Sequence, residues 1–171
     1  MPFLFASCHV DKNVQPEDRS DSAVQEVFNA HVRRSERGHL QLELDAPIIQ
    51  KYDLPRPRTV YRSCGGKRVL LCFFDDEHAI KTSIEAGHAV SLDDRDIMEA
   101  TDSVVVIDYR NGDTIYLVDL TWNSAEDRIY SNNPVRAKNG SRITEGDGFV
   151  SDQRMENMHI IRQRGVIEFQ D

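Results

Sequence analysis

The sequence has few cysteines, no long apolar run and no excess of positive charge, and each shortage excludes a class of protein. The three cysteines, Cys8, Cys64 and Cys72, contain no CxxC pair, which argues against a disulfide-stapled scaffold. No segment approaches the roughly 18 consecutive apolar residues that cross a bilayer. The 29 acidic residues outnumber the 21 basic ones, which argues against a protein that coats nucleic acid with its whole surface.

The remaining composition is typical of a folded, soluble protein. Hydrophobic residues make up 39 % of the 171-residue chain, which is enough to build a core. The short apolar start, residues 1–5, lacks the length and the basic flank of a signal peptide. We therefore expect one cytoplasmic domain over residues 1–171. Prolines interrupt residues 46–58, which marks a candidate break between two subregions.

The clearest local signal is a β-hairpin over residues 103–121. Two β-rich runs flank Asn111-Gly112, the residue pair that favours a type I′ turn. The runs are almost continuously apolar, which predicts strands at the centre of a sheet. Shorter strands are expected at residues 59–62 and 69–74, around Gly65-Gly66.

Three other segments show helical signals. The capping box formed by Ser22 and Gln25 opens a predicted helix over residues 22–38, with a glycine as its stop. A second helix is expected over 75–87 and a short acidic one over 91–100. Together with the hairpin, these elements predict a single α+β domain with a mainly antiparallel central sheet and two or three helices.

Two aspartates of the predicted hairpin indicate a metal site. With a two-residue turn, Asp102 and Asp119 become diagonal neighbours on one face, with Cβ atoms about 5–8 Å apart. Such a carboxylate pair can hold Mg²⁺, which activates water for phosphodiester hydrolysis. Asp102, Asp119 and Thr121 resemble the core of the PD-(D/E)xK nucleases, with Thr121 standing where that family has a lysine.

A second enzymatic interpretation rests on Arg62 and Glu126. The order of Tyr61-Arg62, Phe73-Phe74 and Glu126 along the chain resembles that of ADP-ribosyltransferase-like domains. The resemblance implies that Arg62 contacts the phosphates of NAD and that Glu126 lies at the ribose. Mg²⁺ and NAD are expected only under these two hypotheses, and otherwise no cofactor is expected.

Acidic side chains are concentrated over residues 75–99. Such a surface steers basic partners and raises association rates. We expect the contacts to come from six residues: Asp75, Asp76, Glu77, Asp93, Asp94 and Asp96.

No catalytic motif of the sequence is intact, so the leading interpretation is an intracellular partner-binding protein of inhibitor, immunity, regulatory or assembly type. Its expected partner is a basic protein, with neither a membrane nor nucleic acid as the primary ligand. The alternative is an enzyme or enzyme-derived domain, nuclease-like at Asp102 and Asp119 or ADP-ribosyltransferase-like at Arg62 and Glu126. Whether the protein is an enzyme is left open by the sequence.

Overall fold

A computed structural model describes residues 22–53, 55–92 and 94–167, and all of its regular elements are β-strands. Fourteen strands form one antiparallel sheet. The strands are β1 (Gln25–Glu36), β2 (His39–Tyr52), β3 (Arg58–Arg62), β4 (Val69–Phe74), β5 (Ile80–Ala86), β6 (His88–Leu92), β7 (Ile97–Asp108), β8 (Asp113–Asn123), β9 (Arg128–Ser131), β10 (Val135–Asn139), β11 (Arg142–Gly146), β12 (Gly148–Ser151), β13 (His159–Ile161) and β14 (Arg164–Ile167).

The predicted α+β class is wrong, because the described residues of each predicted helix form strands and turns. Residues 25–36 form β1, which pairs with β2 along its whole length. Residues 80–92 form β5 and β6, which have neighbours on both sides. The third segment contributes to β6 and to the start of β7. Long-range backbone pairing has overridden the weak helical spacing of the apolar residues.

The hairpin predicted over residues 103–121 does form, with β7 and β8 as its arms. Its turn holds four residues, 109–112, so Asp108 rather than Arg110 faces Asp113. The pairing is therefore shifted from the predicted one. Gly65-Gly66 does not join a hairpin of β3 and β4, because both of these strands pair with β2 instead.

Most strands are halves of longer runs that go up and down through the sheet. β3 and β4 lie end to end along β2, and β5 and β6 lie end to end along them. The same arrangement recurs beyond β8 in the consecutive pairs β9–β10, β11–β12 and β13–β14. The result is an antiparallel meander in which most runs are interrupted near their middle, whereas β2 and β8 are continuous.

The interruptions line up across the sheet, and we call this line the crease. It contains Gly87, the bulge at Asp102 and Ser103, and Asp147. Asp102 and Ser103 both have positive φ, at 65° and 61°. A Cβ atom on Gly87 would lie 2.9 Å from the Cβ of Asp102, so the close approach of the two runs requires glycine here.

Hydrogen bonds and ion pairs hold the crease. Nη2 of Arg68 donates to the carbonyl oxygens of Asp102 and Ser103, at 2.7 and 2.6 Å. Farther along, the carboxylate of Asp147 pairs with Arg162 and Arg164. The polar groups released by the broken ladders therefore have new partners.

The sheet folds over at the crease into two packed layers. Phe73 and Trp122 contact each other with ring centroids 5.9 Å apart. Following the paired residues across the sheet from Phe73 leads to Asp113 on β8. Trp122 is nine residues farther along β8, which is about 30 Å in an extended strand. Only a fold brings these rings together. We call the layer that contains β4, β5, β10, β11 and β14 leaf A, and the layer that contains β3, β6, β9, β12 and β13 leaf B.

Apolar side chains of both leaves form one core. Leu71, Ile84 and Val106 represent leaf A, and Ile129 and Phe149 represent leaf B. Ile129, Phe149 and Val106 are fully buried. Because side chains alternate along a strand, only the inner face of each leaf contributes.

No helix in the described ranges has the length and apolar character needed to pass through a lipid bilayer.

Candidate functional site

The structure does not place Asp102 and Asp119 in the predicted register. Asp102 lies in the bulge of the crease, and Asp119 faces Thr101. Both carboxylate oxygens of Asp119 accept hydrogen bonds, from Ser131 Oγ at 2.5 Å and from Asn133 Nδ2 at 2.8 Å. Within the residues that the structure describes, no group of three or more His, Cys, Asp and Glu side chains is placed to hold a metal ion.

Arg62 and Glu126 lie in different parts of leaf B. Arg62 is the last residue of β3 and donates to Gln50 Oε1 at 3.4 Å. Glu126 lies in the exposed turn after β8, where its N–H donates to Asn123 Oδ1. Three strand spacings and several residues along the strands separate them, a distance of about 20 Å in regular sheet geometry. The structure does not bring these two residues together.

The acidic residues fall into two separate turns. Asp75, Asp76 and Glu77 lie between β4 and β5, whereas Asp94 and Asp96 lie between β6 and β7. These turns are at opposite ends of the β5–β6 run. Asp93, the sixth predicted contact residue, lies outside the described residues.

The first of these acidic turns, which we call the acidic turn (residues 75–78), lies beside the beginning of β2. The rings of His78 and His39 are 5.8 Å apart, and His39 faces Glu36 at the end of β1. Asp75 orders the turn by accepting the N–H groups of Glu77 and Ala79, at 2.9 and 2.8 Å. The acidic turn therefore adds negative charge near one end of β1.

β1 is an edge strand with an unusual amount of exposed apolar surface. Within the described residues it pairs only with β2, so none of the described strands pairs with the other edge of its twelve residues. Three large apolar side chains of β1 are exposed, Val27 at 38 %, Phe28 at 61 % and Val32 at 46 %, and so is the preceding Val24 at 60 %. Natural proteins usually shorten or charge such an edge to prevent association.

Both faces of β1 contribute to this surface. Val27 and Val32 face Ile49 and Leu44 of β2, which belong to the apolar inner side of the folded sheet. Phe28 points to the opposite face, because neighbouring residues alternate. The apolar interior of the two leaves therefore continues to the open side of β1.

The charges on β1 are arranged asymmetrically. Glu26, near the start, accepts from Gln50 Nε2 at 2.5 Å. Arg33, near the end, pairs with Glu43 at 2.7 Å, and His31 contacts Asp45 at 2.5 Å. An antiparallel neighbour with complementary charges would therefore carry a basic residue opposite Glu26 and an acidic one opposite Arg33.

The sequence interpretation missed this edge because it assigned residues 22–38 to a helix. Val24, Val27 and Phe28 fit a helical spacing, but valine and phenylalanine also favour strands. The alternation of Leu40, Leu42 and Leu44 did indicate β2 correctly. A signal for β1 was its closeness to β2 across the short turn at Gly38, whose φ is 85°.

A second feature is the loop of residues 152–158, which we call the crossing loop, between β12 and β13. It is ordered by Asp152, whose carboxylate accepts the N–H groups of Glu156 at 2.9 Å and Arg154 at 3.2 Å. Asn157 Nδ2 donates to the same carboxylate at 2.5 Å. Burial alone would raise the pKa of Asp152, but these hydrogen bonds outweigh it and lower the pKa below its ordinary value,.

Asp152→Asn is expected to lower the free energy of unfolding by about 1–2 kcal/mol at pH 7, because it weakens the bonds to the ionised carboxylate. Since the folded pKa is depressed, the stabilisation is present above the unfolded pKa and is lost as pH falls through the folded pKa. The difference from the native chain should therefore shrink below about pH 4. Urea unfolding at several pH values measures it, with exposed Asp76→Asn as the control. A difference that stays constant with pH would contradict this assignment.

No family model matches the chain, and no curated protein sequence matches it significantly.

Proposed function

We propose that this protein is a partner-binding protein of the assembly type, which joins another β-sheet protein edge to edge through β1. The observation that carries the proposal is that β1 pairs on one side only among the described residues, while Val27, Phe28 and Val32 of β1 and the preceding Val24 are exposed. The partner contributes an antiparallel strand with apolar side chains opposite Val27 and Val32. It carries a basic residue opposite Glu26 and an acidic residue opposite Arg33.

Backbone pairing supplies the first part of the binding energy. In an antiparallel ladder about half of the N–H and C=O groups of an edge strand face outward. A strand added to β1 pairs these groups with its own, as in other cases of strand addition. This contribution does not depend on sequence, so the side chains must provide the specificity.

Apolar burial supplies the second part. Val27 and Val32 lie on the inner face and Phe28 on the outer one, so an added strand covers apolar surface on both sides. Removing such side chains from water is favourable by about 25 cal/mol per Å². The same burial extends the core of the two leaves into the partner.

Charge supplies the third part and favours a partner with a basic end. The protein has a formal net charge of -8, and the acidic turn lies near the end of β1 through the contact of His78 with His39. A partner strand that continues into basic residues is attracted there, most strongly at low ionic strength. The proposed partner is therefore still basic, as expected from the sequence, but its main contact is with β1 rather than with the acidic residues.

A peptide that copies residues 22–37 provides a matched probe. Laid antiparallel to β1, it can place its valines opposite Val32 and Val27 and its Glu26 and Arg33 opposite their complements. We expect a fluorescently labelled peptide to bind the full chain in an anisotropy titration. Val32→Lys should weaken binding at least about tenfold, because a lysine on the inner side of an edge strand opposes pairing.

Val118→Lys is the matched control, because Val118 is 63 % exposed and lies outside β1. It should bind the peptide as the native chain does, and a scrambled peptide should not bind. Equal affinities of the Val32 and Val118 variants would refute the proposal. Concentration-dependent self-association that is also lost in Val32→Lys would identify a second copy of the chain as one partner.

A further inference from the structure

Two histidines lie close together at one end of the sheet. His39 is the first residue of β2, and His78 is the last residue of the acidic turn between β4 and β5. Their ring centroids are 5.8 Å apart, and the ring planes are inclined at 38°. Both residues are exposed, so an ion in solvent can reach them. The pair therefore brings together two imidazoles from segments that are far apart in the sequence.

The spacing of the two rings fits coordination of a single metal ion. An imidazole nitrogen binds Zn²⁺ at about 2.0–2.1 Å, which puts the centre of the ring about 3.2 Å from the ion. Two imidazoles on one tetrahedral ion therefore have ring centres about 5–6 Å apart. The observed 5.8 Å lies within this range. Rotation of the two side chains then directs one nitrogen of each ring at a common ion.

The backbone holds both histidines in place. The N–H of His78 donates to the carbonyl oxygen of Asp75 at 3.1 Å, and the N–H of Asp75 donates to the carbonyl oxygen of Ala79 at 2.9 Å. His39 is paired with Glu36 at the end of the β1–β2 ladder. Because both ligands are already positioned, an ion that binds them meets a small ordering cost.

The surroundings of the pair are acidic. Two acidic residues immediately precede His78 in the sequence, and Glu36 faces His39 across the β1–β2 hairpin. Against these three carboxylates, Arg37 is the one basic residue of the two adjoining turns, residues 37–38 and 75–78. A surface of this kind attracts cations.

We propose that His39 and His78 form a binding site for a divalent transition-metal ion that imidazole nitrogen binds well: Zn²⁺, Ni²⁺ or Cu²⁺. Among the described residues, no group of three or more His, Cys, Asp and Glu side chains is placed to hold a metal ion, so water completes the coordination of the two imidazoles. The bound ion links the acidic turn to the start of β2. The site does not rest on the proposed pairing of β1 with a partner.

Calorimetric titration of the full chain with Zn²⁺ tests the site. His39→Gln and His78→Asn should each weaken the binding of one Zn²⁺ at least about tenfold, since loss of even an outer-shell partner has an effect of that size. Asparagine is chosen at position 78 because it tolerates the positive φ of 65° there,. Mg²⁺ prefers oxygen ligands, so neither substitution should change its binding.

His159→Gln is the matched control, because His159 is also exposed but lies on β13. It should bind Zn²⁺ as the native chain does. The chain with both pair substitutions should bind no more weakly than either single variant, because one imidazole alone no longer chelates the ion. Native Zn²⁺ affinity in either pair variant, or an equal loss in His159→Gln, would refute the site.

The native chain provides a second measurement that needs no substitution. Diethylpyrocarbonate modifies accessible histidines, and peptide mass spectrometry gives the rate at each position. Zn²⁺ should slow modification of His39 and His78 together, at the same Zn²⁺ concentration, and leave His159 unchanged. Protection of only one of the pair would show that the two rings do not share an ion.

Discussion

Replacing Phe149 with Ala is expected to lower the free energy of unfolding by about 3–5 kcal/mol, as for other large core aromatics. Phe149 is fully buried on β12 and faces Ser131 and Ile160 on the two neighbouring strands. Because it also lines a cavity of about 580 Å³ beside the crossing loop, truncation enlarges a space that the strands cannot close. The cost includes both the lost burial and the cavity.

Urea unfolding monitored by circular dichroism measures this effect. Val118→Ala is the control, because a residue that is 63 % exposed should change stability by no more than about 0.5 kcal/mol. A cost below about 1 kcal/mol for Phe149→Ala would mean that Phe149 does not lie in the core of both leaves.

Replacing Arg110 with Ala is expected to cost about 3 kcal/mol. The carboxylate of Asp108 is fully buried and accepts from the Nε of Arg110 at 3.0 Å and from Asn111 Nδ2 at 2.8 Å. Without the guanidinium, the buried carboxylate of Asp108 keeps only neutral hydrogen-bond partners such as Asn111. The substitution also removes the hydrogen bond from Arg110 to Met155 of the crossing loop.

A double substitution identifies the cause. If the buried charge dominates, Asp108→Ala together with Arg110→Ala should be more stable than Arg110→Ala alone by about 1 kcal/mol, because no charge then stays buried. Thermal and urea unfolding of the four chains complete the cycle. Strictly additive costs would show that the two side chains act independently.

Local sequence signals predicted some of the strands and failed at the partners of those strands. β4 was predicted with its observed bounds, residues 69–74, because a short, dense apolar run favours a buried strand. The hairpin of β7 and β8 followed from Asn111-Gly112 between two such runs. The shift in its register comes from two extra turn residues, which the Asn-Gly signal does not specify.

The helical interpretations failed where short apolar segments fit two periods. In residues 80–92, the apolar side chains repeat at spacings that fit a helix over a few residues, yet β4 and β7 pair with β5 on both sides. The helix predicted over residues 75–87 ends at Gly87, whereas this glycine lies at the crease opposite Asp102. A glycine marks a special backbone position without revealing which kind.

The exposed edge of β1 could not be predicted from local sequence signals, for a different reason. Exposure of Val27 and Val32 depends on β1 being an edge of the sheet, and an edge is defined by the absence of a neighbour rather than by any motif. The crossing loop likewise depends on contacts between Arg110 and Met155, 45 residues apart. Such distant contacts follow from the folding of the sheet.

The crease also determines how this architecture can grow. In an ordinary sandwich each strand belongs to one sheet, so either layer can gain a strand alone. Here the runs from β3–β4 to β13–β14 cross from one leaf to the other. One more hairpin at either end would therefore widen both layers by the same amount, and removing one would shorten both. The two layers are inseparable, and the number of hairpins sets the length of the protein along its crease.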